Sequence, residues 1–179
     1  MAKHYIIDIG HANGTGASSL EADPKYRDEE HDLCTKIGAA LYRLLNKCDS
    51  TATLIDFPTM NNSQDLNATI TEANKIKADL GISIHMDAAS TETPRGAHIC
   101  YYSSTGKKYA EKIAPRLVSL LPGRANSVVL RTDLAVLKKT KWPWVLIECG
   151  FITNPHDRAI AKDHPEWIAE AIANSLAAE

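Results

Sequence analysis

The sequence predicts an α/β fold: a single layered domain with a central, mostly parallel, twisted sheet of about six strands flanked by helices. Three observations predict it. Short apolar runs alternate along the chain with stretches whose apolar residues recur at helical spacing. The runs are near-continuously apolar, as strands buried on both faces are. No internal repeat, low-complexity tract or linker interrupts them, so residues 1–179 read as one domain.

Tyr5-Ile6-Ile7-Asp8-Ile9 forms the first expected strand and stops at Gly10, and the Gly/Ser/Asn-rich residues 12–23 read as a loop. Asp28 is expected to cap a helix carrying Leu33, Ile37, Leu41 and Leu44. A second strand over 53–57 is stopped by Pro58, and Asn61-Asn62-Ser63 offers the cap of a helix carrying Leu66, Ile70, Ala73 and Ile76. Leu80-Gly81-Ile82-Ser83-Ile84 is a third strand, ending at His85, and 97–102 a fourth. The helix over 106–121 is expected to bend or break at Pro115, which lacks a backbone donor. Residues 127–130 suit a short edge strand and 145–148 the last strand. Two helical pieces close the chain, the longer over 165–176 with Pro165 in its first turn.

Composition excludes several classes of function. The chain has 179 residues, with 20 Lys+Arg against 22 Asp+Glu, a net charge of −2 that gives no basic footprint for nucleic acid. Hydrophobic residues reach 44%, enough for a core and against disorder. No apolar run approaches the ~20 residues that span a bilayer. Cys34, Cys48, Cys100 and Cys149 form no CxxC pair and read as reduced, mostly buried thiols. The N-terminal apolar stretch is too short for a secretion signal.

The chemistry collects at strand ends, where loops converge in α/β sheets. His11 follows the first strand, His85 the third, and Glu148 closes the last. The acidic pair Glu29-Glu30 stands at the head of the first helix. Two imidazoles and one carboxylate make a donor set suited to Zn²⁺ with a position left for water, and a second carboxylate nearby can accept that water's proton.

Asp8-Ile9-Gly10-His11-Ala12, Ser83-Ile84-His85-Met86-Asp87-Ala88 and Val145-Leu146-Ile147-Glu148-Cys149-Gly150-Phe151-Ile152-Thr153-Asn154 occur in this order. Together they resemble the zinc-dependent N-acetylmuramoyl-L-alanine amidases of the amidase-3 type, a family that includes autolysins and phage endolysins. The resemblance spans essentially the whole chain. It implies one Zn²⁺ held by His11, Glu30 and His85, with Glu148 as the catalytic general base and acid. Glu30 is chosen over Glu29 because Leu33, Ile37 and Leu41 then match the family's apolar helix positions. The implied substrate and partner is peptidoglycan, cut between N-acetylmuramic acid and the L-alanine of the stem peptide. No nucleic acid, no membrane insertion and a monomeric state are expected. The implied place of action is the cell wall, reached after release from the cytoplasm as by an endolysin, or by secretion if a signal was removed. A carboxypeptidase-like zinc peptidase and a catalytically silent wall-binding module are the rival readings.

Asp87 stands where the family usually has Asn, Ala12 where Gly is frequent and Thr69 where Arg often occurs. Residues 12–23, 90–95 and 131–144 are expected to border the site; Arg131, Lys138, Lys139 and Lys141 read as a solvated basic stretch. His4 and His31 are expected at the surface, His156 and His164 on or beside the terminal helices, and His98 on the fourth strand. Cys149 reads as a core thiol, because neighbouring strand residues face opposite ways. Asp157 reads as a turn or helix cap, and Tyr101-Tyr102 as sheet packing.

Overall fold

The computed structural model describes residues 2–47 and 49–178; Cys48 lies outside the described residues. Among the described residues six strands form one sheet: β1 (Lys3–Ile9), β2 (Ser50–Ile55), β3 (Leu80–Asp87), β4 (His98–Tyr101), β5 (Val128–Leu130) and β6 (Trp144–Phe151), in the order β2-β1-β3-β6-β4-β5. Every pair is parallel except β4 with β6. The helices are α1 (Glu30–Leu45), α2 (Asn62–Ala73), α3 (Ser104–Leu120), α4 (Ala135–Lys139), α5 (Pro155–Asp163) and α6 (Pro165–Ala177), with a 3₁₀ turn over Pro24–Tyr26. Among the described residues no helix is long and apolar enough to cross a membrane.

Two-residue alternation assigns the faces. Ile7, Ile9, Ile82, Ile84, Val145, Ile147 and Cys149 point to one side, where they pack with α1, α3, α5 and α6 in the larger core. The opposite side carries Ile6, Trp144 and Leu146, covered by residues of α2 and α4. On that side the paired positions Asp8–Ser83, Ser83–Leu146, His85–Glu148 and Glu148–His98 line up across four strands. The polar positions therefore fall in two neighbouring rows of the smaller layer, Asp8–Ser83, which Leu146 closes, and His85–Glu148–His98. Gly81 sits under the Trp144 indole, where even a β-carbon would overlap the ring. That indole Nε1 donates to Ser83 Oγ at 2.9 Å, and Ser83 Oγ donates to Asp8 Oδ2 at 2.6 Å.

Several expected boundaries move, each for a tertiary reason. The second strand lies over Ser50–Ile55 rather than 53–57, because its pairing with β1 runs from Lys3–Ser50 to Asp8–Ile55. Strand β6 extends to Phe151, which pairs with Asp87 beyond an irregularity after His85. Glu29, not Asp28, occupies the N-cap of α1 and caps it with no side-chain bond. Asp28 is drawn instead to Arg158 (3.3 Å) and Lys162 (2.7 Å) of α5. Asn61 caps α2 in a capping box with Gln64, and the helix ends at Ala73, short of Ile76. Helix α3 is assigned as one element through Pro115. Cys34, Cys100 and Cys149 are free and buried.

Candidate metal centre

Gly10 brings the chain off β1 against the third strand: a β-carbon there would lie 2.6 Å from His85 Cε1. The next residue, His11, adopts a left-handed backbone (φ 63°), which turns the chain sharply and is uncommon for a residue with a side chain. Its Nδ1 lies 3.0 Å from Asn62 Oδ1 at the start of α2. The orientation of that carboxamide follows from its other end, since Asn62 Nδ2 donates to Thr15 O at 2.9 Å. His11 Nδ1–H is therefore the donor, and in the neutral form of the ring Nε2 carries the bare lone pair.

That lone pair faces Glu30 Oε2 at 3.3 Å. Glu30 opens α1 and is only 3% exposed. Its Oε2 accepts from Ala17 N at 2.8 Å and its Oε1 from Met86 N at 3.0 Å, while Oε1 lies 3.3 Å from His85 Nδ1. The two imidazoles meet edge to face, with centroids 4.9 Å apart. One donor atom from each of His11, Glu30 and His85 lies within 4.8 Å of the others. An acceptor lone pair held 3.3 Å from a buried carboxylate needs a positive centre between them, a proton or a metal. Ligands at the ~2.0–2.1 Å of zinc–nitrogen and zinc–oxygen bonds stand ~3.3 Å apart around a tetrahedron; each imidazole meets one Glu30 oxygen at that spacing, His11 on Oε2 and His85 on Oε1, and the donor types suit Zn²⁺.

The electrostatics agree. Burial alone raises the Glu30 carboxyl, but hydrogen bonds and charge from His11 and His85 hold it well below the usual carboxylate range. Burial pulls the His85 imidazole down, yet the Glu30 bond and the charge of Glu148 push it up to about 9. The Glu30 bond raises His11 as well. The pocket demands positive charge whether or not a metal supplies it.

Glu148 stands beside His85 in the parallel register. Its Oε2 is buried with no hydrogen-bond partner among the described residues. Burial raises this carboxyl, and the nearby His85 offsets part of the rise. It contributes no atom to the three-residue cluster. Across β4 sits His98, whose Nδ1 lies 3.4 Å from Asp87 Oδ2. Asp87 is paired with Arg124, which lies over the Phe151 ring at 4.3 Å. The extra acid in the third-strand motif is thus neutralised by a guanidinium.

The structure brings His11, Glu30, His85 and Glu148 to one end of the sheet and leaves Glu29 outside the cluster. Residues 12–23 reach it through Gly16, whose β-carbon would lie 2.8 Å from Glu30 Oε2, and through the Ala17 amide. Leu134, Ala135 and Val136 line an adjoining cavity, while Arg131 is paired with Asp133. Residues 90–95 are tied to the cap of α5, where Asn154 Nδ2 donates to Glu92 O at 2.6 Å. Two expectations need correction. His31 is buried rather than at the surface, because its Nε2 meets Asp56 Oδ1 at 2.9 Å. Asp157 caps nothing: Asn154 caps α5, and the fully buried Asp157 accepts the amides of Gly96 (2.7 Å) and Phe151 (3.0 Å). Sequence reading missed Asn62, absorbed into the capping signal beside it, and Arg124, isolated in a loop with no motif around it.

Residues 6–178 match the Amidase_3 family model, described as N-acetylmuramoyl-L-alanine amidase. The probable cell wall amidase LytH of Staphylococcus aureus is 30% identical over 181 residues, covering 98% of this chain and 58% of that protein. The chain thus spans somewhat over half the length of the curated relatives it matches. Among solved structures, an N-acetylmuramoyl-L-alanine amidase from Clostridium difficile 630 superposes with a TM-score of 0.83 at 25% identity, covering 98% of this chain and 95% of the other. The catalytic domain of the CD27L endolysin targeting Clostridia difficile superposes at 0.86 with 24% identity, covering 97% and 96% of the two chains. The fold is that of the amidase catalytic domains. The chain belongs to the N-acetylmuramoyl-L-alanine amidase family.

Proposed function

We propose that this chain is a zinc-dependent peptidoglycan amidase that hydrolyses the bond between N-acetylmuramic acid and L-alanine. One observation carries the reading: two imidazoles and a buried carboxylate converge on a gap that requires positive charge, next to a second carboxylate with a partnerless oxygen. His11 Nε2, Glu30 and His85 Nδ1 would hold the ion. Bound there, Zn²⁺ supplies Lewis acidity that makes water nucleophilic near neutral pH and steadies negative charge on the carbonyl oxygen.

The chain's own residues do the rest. Asn62 fixes the His11 tautomer, and the Ala17 and Met86 amides fix the Glu30 carboxylate, so the donor set is held before any ion arrives. Glu148 takes the proton of the attacking water on its free oxygen and returns it to the departing L-alanine nitrogen. Its burial favours that role by raising its proton affinity. The protein acts as a single chain on the cell wall.

The test is digestion of purified peptidoglycan with and without chelator, followed by identification of the new chemical end. A free L-alanine amino group that disappears with chelator and returns with zinc is the expected result. Release of single amino acids would mark a peptidase instead, and wall binding without any new end a silent module. Glu148→Ala is expected to abolish turnover.

A further inference from the structure

A half-open cavity of about 270 Å³ adjoins the candidate metal centre, lined by residues of β1, β3, β6, α2 and the start of α4. Much of its wall is aliphatic, from Leu66, Leu134, Val136 and Leu146. Two carboxylates interrupt that wall. Asp8 is 6% exposed and among the described residues receives only neutral donors, Thr69 Oγ1 at 3.0 Å and Ser83 Oγ at 2.6 Å. Asp65, in the first turn of α2, is 7% exposed, and its buried Oδ1 accepts no hydrogen bond among the described residues.

No lysine or arginine among the described residues lines this cavity. The imidazoles at its edge, His11 and His85, are both engaged with Glu30. The helix N-terminus favours an acid in the first turn but leaves Oδ1 of Asp65 without a donor. A buried carboxylate without a cation or a full set of donors is costly. Burial accordingly raises both carboxyls, Asp8 to about 6, where the charge of Asp65 adds to the rise.

The complement of such a cavity is a flexible hydrocarbon chain ending in a positive charge. The aliphatic wall covers the methylenes, and the two acids receive the cation. A bare divalent ion fits less well, because it takes six or more oxygens at short range and gains nothing from leucine and valine. We propose that this cavity is a subsite for an alkylammonium group, supplied by the diamino-acid side chain of a stem peptide. The source of the amine rests on the amidase reading; the amine subsite itself does not.

Two measurements separate them. In the first, the zinc-loaded protein is given two muramyl tripeptides that differ only in whether the terminal side-chain amine is free or acetylated. The free amine is expected to raise kcat/KM at least tenfold, and Asp65→Asn is expected to lose that preference. Equal cleavage of both by the wild type overturns the subsite and leaves the amidase reading standing; cleavage of neither overturns the amidase reading. In the second, which needs no turnover, n-butylammonium chloride is titrated against n-butanol while the backbone amide signals of Asp65 and Thr69 are followed by NMR. Saturable shifts with the ammonium alone are expected, and their absence overturns the subsite. Thermal unfolding checks that Asp65→Asn folds. Leu134→Lys is a second variant that places a tethered ammonium in the cavity, and it is expected to abolish the n-butylammonium response; a response that survives it places the probe elsewhere and overturns the subsite.

Discussion

Replacing Glu30 by glutamine preserves shape and removes one acceptor, and the structure says what that costs. The carboxylate is gripped from two sides by backbone N–H groups, Ala17 on Oε2 at 2.8 Å and Met86 on Oε1 at 3.0 Å. A carboxamide has one oxygen. Whichever way it turns, its NH₂ confronts one of those two donors inside a pocket where Glu30 is 3% exposed. The change removes a charge-assisted bond worth ~1.5–3 kcal/mol and strands a donor at a cost of ~1–3 kcal/mol, two overlapping quantities that together suggest ~3 kcal/mol. For a chain of this size ~3 kcal/mol lowers the thermal midpoint by ~6–12 °C. The assay is parallel thermal and denaturant unfolding of metal-free wild type and Glu30→Gln at neutral pH, so that lost zinc affinity does not enter. A variant melting within ~2 °C of wild type refutes the claim that both amides hold the carboxylate.

Further outcomes follow from the same geometry. Asn62→Ala frees the His11 ring and its tautomer, so zinc affinity is expected to fall ~10–100-fold in competition with a chromophoric chelator while the fold persists. Asp8 has its carboxyl raised from 3.8 to about 6 by burial, so the folded state binds its proton more tightly than the unfolded chain. Its contribution to stability is complete below about 3.8 and is lost as pH rises through about 6. Relative to wild type, Asp8→Asn is therefore expected to gain stability across that window, by ~2–3 kcal/mol at ~1.4 kcal/mol per unit of pKa. Denaturant unfolding at pH 4 and pH 7 checks the sign; a difference that shrinks toward pH 7 contradicts it.

Much of the architecture is legible because local and global signals agree. The runs around Ile6, Ile82 and Val145 are near-continuously apolar, as strands of a covered parallel sheet are, and His11, His85 and Glu148 stand out as polar groups at or near their ends. What sequence cannot supply is contact across distance. His31 looks like a surface residue of an amphipathic helix until Asp56, beyond the next strand, arrives beside it. Asp28 reads as a cap until Arg158 and Lys162 compete for it. The five residues of α4 are too few to show a helical period. Asn62 was hidden for a different reason, since the capping signal of Asn61 beside it accounts for the same stretch. Arg124 gains meaning only when β3 and β6 bring Asp87 and Phe151 to it.

Metal analysis of five purified proteins, paired with turnover on peptidoglycan, tests the central claim most directly. The wild type is expected to hold one zinc per chain; His11→Ala, Glu30→Ala and His85→Ala are expected to hold little and to be inactive. Glu148→Ala is expected to keep its zinc and lose turnover. Full zinc occupancy in either histidine variant, or zinc loss from Glu148→Ala with the three ligands intact, would contradict the division of roles between the three ligands and Glu148.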